Sequence, residues 1–169
     1  SAVVEEVALR ASRNHREDLP EWFMDYRNAD GGIAEMCGNG IRLFALHLFD
    51  EGLVPACEPV RIATRSGVKT VVREGDVLRA DLGEAAVLGE TKVSVGDRSF
   101  AATHVVVGKP HAVAFVDDLA EAGSLAEEPA YDQGLFPHGV NVEFVVRRGP
   151  GHVAMRVHER GSGETRSCG

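Results

Sequence analysis

Most apolar residues along the chain fall in short runs separated by turn-forming residues, the signature of strands. Val60–Thr64, Val68–Val72 and Val77–Leu82 are divided by Arg65-Ser66-Gly67 and by Glu74-Gly75-Asp76, which predicts a meander. A second meander is predicted over Lys92–Val95, a Gly96-Asp97 turn, Phe100–Val107 and His111–Val116. Val140–Val146 and His152–Glu159 read as a hairpin around Gly149-Pro150-Gly151. Earlier in the chain, Val3–Arg10 and Glu21–Arg27 read as strands joined by a polar loop over Arg13–Asp18.

One segment has a different period. After Cys37-Gly38-Asn39-Gly40, apolar residues stand at Ile41, Phe44, Ala45, Leu48 and Phe49, the spacing of one helical face. Leu43 and Leu46 add apolar surface on the other side, so the helix is expected to be buried nearly all round. Gly52 is placed to terminate it. A weaker helical pattern over Leu119–Glu127 predicts a short surface helix.

Composition narrows the picture. The 169 residues are 44% hydrophobic, enough for a packed core in one domain or two small lobes. Aromatics are only 6%, consistent with many short strands and tight turns. A net charge of −8 with no basic patch argues against a nucleic-acid partner. No apolar run approaches the roughly 20 residues of a spanning helix, so no membrane partner is expected. Three cysteines are an odd number, which speaks for reduced thiols and a cytoplasmic setting rather than a disulfide framework. The chain opens in mid-pattern at Ser1-Ala2-Val3-Val4, so the lack of a leader there carries little weight.

Two of those cysteines share a context. Gly-x-x-x-x-Cys-Gly occurs as Gly32…Cys37-Gly38 and again as Gly163…Cys168-Gly169. The first copy opens the helix, where first-turn N–H groups and the macrodipole favour an anion, so Cys37 is a candidate thiolate. Gly38, Asn39 and Gly40 leave the backbone open to a ligand carboxylate. The plain alternative is that Cys37 is a small buried residue and the glycines only shape a turn. Inverting a stereocentre through a carbanion needs a base on one face and an acid on the other, and two matched thiols meet that need. Cys57, in Pro55-Ala56-Cys57-Glu58-Pro59, has no comparable context. None of the seven histidines is spaced with the cysteines as a metal site. His111 and His158 are expected to pack or hydrogen-bond.

The motifs then become specific. Asn28-Ala29-Asp30-Gly31 with Met36-Cys37-Gly38-Asn39-Gly40-Ile41-Arg42 resembles the first signature of the diaminopimelate epimerases. Gly139-Val140-Asn141 and Glu159-Arg160-Gly161-x-Gly163-Glu164-Thr165-x-x-Cys168-Gly169 resemble the later ones, in the same order. The resemblance implies an α+β fold of two pseudo-symmetric lobes, each a curved mixed sheet around a central helix, incomplete here at both ends. The lobes are expected at 1–84 and 85–169. It also implies a cofactor-independent isomerase that interconverts LL- and meso-diaminopimelate, acts on a small amino-acid substrate, and forms a homodimer. Cys37 and Cys168 would be the catalytic thiols. Gly38, Asn39 and Gly169 would cradle the reacting carboxylate. Asn28 and Asn141 would bond the distal end, Glu159 would meet its ammonium and Arg160 its carboxylate. A solvated strand-end ion pair is the alternative for Glu159-Arg160. Two thiols facing one carbon would also be expected to form an inactivating disulfide under oxidation.

One departure bears on the substrate. Gly108-Lys109-Pro110-His111 stands where the family typically has Gly-Asn-Pro-His, so Lys109 replaces an asparagine that touches the distal group. A lysine attracts a distal carboxylate and repels a distal ammonium. That keeps open the same mechanism on another amino acid, as in a histidine racemase. An inactive fragment or binding-only relative is a further alternative, and intact mass separates it from an enzyme.

Overall fold

The computed structural model describes residues 19–28 and 31–166. The expected strand over Val3–Arg10 and the Arg13–Asp18 loop lie outside these residues. Contacts divide the chain between Gly83 and Glu84 into two compact units.

The first unit is a four-stranded sheet carrying a helix. β1 (Trp22–Phe23) runs parallel to β2 (Val60–Thr64), which continues antiparallel into β3 (Gly67–Glu74) and β4 (Val77–Asp81). The Glu21–Arg27 strand is shorter than expected. Its alternation holds, with Trp22, Met24 and Tyr26 buried, but the ladder fails once β2 turns at Thr64. Beyond that point Arg65 takes over, donating to the Tyr26 carbonyl at 3.3 Å and to the Asp25 carboxylate.

α1 (Gly38–Asp50) packs on β3 and β4. Its predicted stripe, Ile41, Phe44, Ala45, Leu48 and Phe49, is buried with Val60, Ile62 and Val71. Each large side chain in that stripe contributes about 1.5–3 kcal/mol on burial. The helix is not buried all round in this unit, because Leu43 remains 53% exposed. A helix laid on one small sheet buries one face only. Gly52, at φ +65°, follows the last turn and returns its N–H to the Phe49 carbonyl at 3.2 Å.

The second unit is a seven-stranded sheet in the order β11-β10-β9-β7-β6-β5-β8. Its strands are β5 (Ala86–Val95), β6 (Arg98–Val107), β7 (Lys109–Phe115), β8 (Ala130–Tyr131), β9 (Asn141–Gly149), β10 (His152–Glu159) and β11 (Gly163–Thr165). β5 starts earlier than its apolar pattern indicated, because Ala86–Thr91 is an exposed stretch paired to β6 across an irregularity between Val87 and Gly89. The expected Leu119–Glu127 helix is only a 3₁₀ turn, Leu119–Ala122. Asp118 and Glu121 cap it reciprocally, and Gly123 at φ +61° stops it.

One pairing decides where side chains meet. All contacts in this sheet are antiparallel except β7 with β9. A parallel pair puts the starts of β7 and β9 at the same end, and antiparallel β10 finishes there. The register sets His111 beside Asn141 and Val113 beside Glu143 on β7 and β9, with Val157 beside Glu143 on β10. Alternation then gives one face to the core residues Ala112, Ala114, Val142 and Phe144. The opposite face carries Lys109, His111, Asn141, Glu143 and Glu159.

Candidate active site

In the first unit the candidate residues gather around the start of α1. Cys37 is its N-cap, with extended backbone at φ −142° and ψ 121°, and its Sγ accepts the Gly40 N–H at 3.4 Å. A helix begins here because the thiol satisfies one of the first-turn donors that have no carbonyl a turn earlier. Gly38 is the buried first residue of the helix. Gly40 answers a packing need: a Cβ there would stand 3.2 Å from the Tyr26 ring and 3.3 Å from Cys37 Cβ. Asn39 is exposed, and its Oδ1 accepts from the Arg42 guanidinium. Asn28 sits in a tight loop, its carbonyl accepting the Gly31 N–H and its N–H donating to Gly32, both at 2.9 Å. Cys37 is partly buried and its side chain is free of any disulfide.

The second unit brings together Lys109, Asn141, Glu159 and Arg160, from three separate stretches of sequence. Asn141 is 1% exposed and accepts the Arg160 backbone N–H at 3.1 Å through Oδ1. The Arg160 guanidinium donates to the His138 carbonyl at 3.0 Å. Its stem runs across Gly139, where a Cβ would approach Arg160 Cδ to 2.6 Å. Glu159 accepts the Thr165 hydroxyl at 2.9 Å, and Lys109 Nζ stands 3.8 Å from its other oxygen. So Glu159-Arg160 is not a solvated strand-end ion pair: the two residues bond to different partners, and Glu159 is largely buried. Cys168 and Gly169 lie outside the described residues.

Behind this group is a buried pair that the sequence reading only half found. His111 was expected to hydrogen-bond, and its Nδ1 lies 2.6 Å from Glu143 Oε1. Glu143 itself was missed, although an acidic residue within Val140–Val146 is a visible signal. It is 5% exposed, and among the described residues Oε2 has no hydrogen-bond partner. Burial pushes the Glu143 carboxyl above its ordinary value, opposed by the bond and charge of His111 and by Lys109. His158 is buried on the core side, as expected of a packing residue. Among the described residues, no three His, Cys, Asp or Glu side chains gather as a metal site. No helix among them is long and apolar enough to cross a membrane.

Residues 10–88 and 103–169 match the family described as diaminopimelate epimerase. The chain belongs to the diaminopimelate epimerase family. It is 58% identical over 153 residues to a diaminopimelate epimerase of Streptomyces coelicolor, covering 88% of this chain and 52% of that protein. A diaminopimelate epimerase of Mycolicibacterium gilvum is 48% identical over 158 residues, and one of Corynebacterium glutamicum 47% over 157, each covering 88% of this chain and 54% and 56% of those proteins. The chain thus spans about half the length of the curated relatives it matches. Among solved structures it is similar to a Bacillus anthracis phenazine biosynthesis protein of the PhzF family, with a TM-score of 0.55 at 14% identity over 92% of this chain and 60% of that one. That likeness bears on the fold alone, and it agrees with the α+β class and mixed sheets described above.

Proposed function

We propose that the protein interconverts LL- and meso-diaminopimelate by proton transfer between two thiols, without a cofactor. In this reading the two compact units are the N-terminal and C-terminal lobes, 1–84 and 85–169. Cys37 as thiolate takes the α-proton; the C–H pair stays on carbon, delocalised into the carboxylate. Cys168 as thiol returns a proton to the opposite face, so the roles are exchanged for the reverse reaction. The N–H groups of Gly38, Asn39 and Gly169 bind the reacting carboxylate, and charge developing there is met by fixed donors. Asn28, Asn141, Glu159, Arg160 and Lys109 hold the distal end. The observation that carries this reading is the convergence of Lys109, Asn141, Glu159 and Arg160 on one strand end. Both charge signs are present there in the form a distal amino-acid group requires. The working enzyme is proposed to be a cytoplasmic homodimer.

The test is α-proton exchange. The protein from its complete coding sequence, incubated with diaminopimelate in D₂O, should incorporate deuterium at the α-carbon, read by mass spectrometry. A second reading, the same chemistry on another amino acid such as histidine, is motivated by Lys109. Exchange with histidine and none with diaminopimelate would replace the substrate.

A further inference from the structure

The first sheet stops short of the loop that carries Asn28. β1 ends with Phe23 opposite Ala63, and one more backbone bond follows, from the Met24 N–H to the Ala63 carbonyl at 2.9 Å. The chain then folds back on itself. Arg27 pairs with Ile33, the Asn28 N–H donates to the Gly32 carbonyl at 2.9 Å, and the Ala34 N–H donates to the Tyr26 carbonyl at 3.3 Å. These bonds close the loop on itself; Arg65, in the turn between β2 and β3, ties it to the sheet. Its guanidinium donates to the Tyr26 carbonyl at 3.3 Å and to the Asp25 carboxylate, and lies 5.6 Å from the centre of the Phe23 ring. The turn that presents Arg65 is itself fixed, because Thr64 Oγ1 accepts the Ser66 N–H at 3.1 Å and donates to the Gly67 carbonyl at 2.7 Å. Asp25 passes the tie onward: it accepts from Arg27 at 3.5 Å, and Arg27 reaches the Gly31 carbonyl at 3.5 Å. An ion pair at the surface is worth little by itself. Here the two side chains are only 26% and 17% exposed, and the same planar fork also takes a backbone carbonyl, which a point charge cannot do at once.

We infer that Arg65 is a positioning residue for the proposed epimerisation: it fixes the loop on which Asn28 stands, and with it the direction from which Asn28 meets the substrate. The inference rests on the role proposed above for Asn28. The Tyr26 side chain is buried, so packing settles where that residue sits. The direction of its carbonyl sets the peptide plane that leads into Arg27 and Asn28, and that is the group Arg65 holds. Cys37 is independent of this tie, because it caps α1 through its own Sγ and the Gly40 N–H at 3.4 Å. Loss of Arg65 therefore weakens substrate binding and spares proton transfer.

The test is Arg65→Met in the protein from its complete coding sequence, which keeps an apolar stem against Phe23 and removes every donor. Deuterium exchange into diaminopimelate is followed in D₂O well below the melting temperature of both proteins, so that lost stability alone changes neither constant. KM is expected to rise about tenfold, the worth of one well-placed hydrogen bond to substrate. kcat is expected to stay within about threefold, because a binding contact is lost and the reacting thiol is not moved. A lower Tm with KM unchanged makes Arg65 a purely structural residue; it overturns the inference and leaves the proposed function standing. A fall in kcat with KM unchanged also overturns it, since the effect would then lie at the thiol. Wild type that exchanges no deuterium into diaminopimelate overturns the proposed function, and the inference with it. Should Arg65→Met fail to fold, Arg65→Lys decides: one ammonium cannot serve both Asp25 and the Tyr26 carbonyl, so KM should still rise at least about threefold, and an unchanged KM refutes the role.

Discussion

Gly139 lies at φ +86°, and a Cβ added there would stand 2.6 Å from Cδ and 2.9 Å from Cγ of Arg160. Replacing it with alanine therefore has two separable consequences. Holding an L-residue in left-handed backbone costs about 1–2 kcal/mol. The clash is with a flexible stem, so Arg160 can swing away, but it then gives up its bond to the His138 carbonyl at 3.0 Å. A hydrogen bond of that kind is worth about 1 kcal/mol. Gly139→Ala is expected to destabilise the second unit by about 2–3 kcal/mol in total. Urea unfolding followed by hydrogen exchange at the β9 and β10 amides reports this unit rather than the other. Arg160→Ala supplies the control, because without the stem only the backbone strain remains. In that background Gly139→Ala should cost about 1 kcal/mol less. If the two substitutions add within about 0.5 kcal/mol, the stem does not depend on Gly139 and the packing argument is wrong.

Other outcomes follow from the same geometry. Cys37→Ser keeps a capping oxygen at the start of α1, so thermal stability should hold within about 1 kcal/mol while α-proton exchange falls at least about 100-fold; retained exchange would remove Cys37 from the chemistry. Gly40→Ala gains about 1 kcal/mol of helix propensity but presses on the Tyr26 ring, buried in the core, and overpacking costs about 1–3 kcal/mol. A lower Tm is expected, and an equal or higher one would mean the ring yields. Burial raises the Glu143 carboxyl in the folded state, so the stability it contributes is present below the ordinary carboxylate range and is lost as pH rises through the raised value. Glu143→Gln should flatten the decline in second-unit stability with rising pH, measured by urea midpoints between about pH 4 and about pH 8. An unchanged slope would place the titration elsewhere.

Local pattern was enough for most elements. The stripe Ile41, Phe44, Ala45, Leu48, Phe49 gave α1, and Cys37-Gly38 marked where it starts, because helix period and capping are properties of neighbours in sequence. Runs such as Val60–Thr64 appear with the same bounds in the sheet. Where local signals were wrong, the deciding partner was distant. Glu21–Arg27 loses its ladder because β2 ends at Thr64, and Ala86–Thr91 is a strand only because β6 lies beside it.

The distal residues divide in the same way. Glu159, Arg160, Asn141 and Lys109 were named by motif, since motif is a property of sequence. That the four share one end of one sheet follows from the parallel pairing of β7 with β9, which no local period encodes. The bond between His111 and Glu143, and the approach of Lys109 to Glu159, depend on atoms brought within a few ångströms across separations of 32 and 50 residues. Sequence set the chemical groups and the local elements; tertiary structure decided which charges lose water together, because desolvation is a property of neighbours in space.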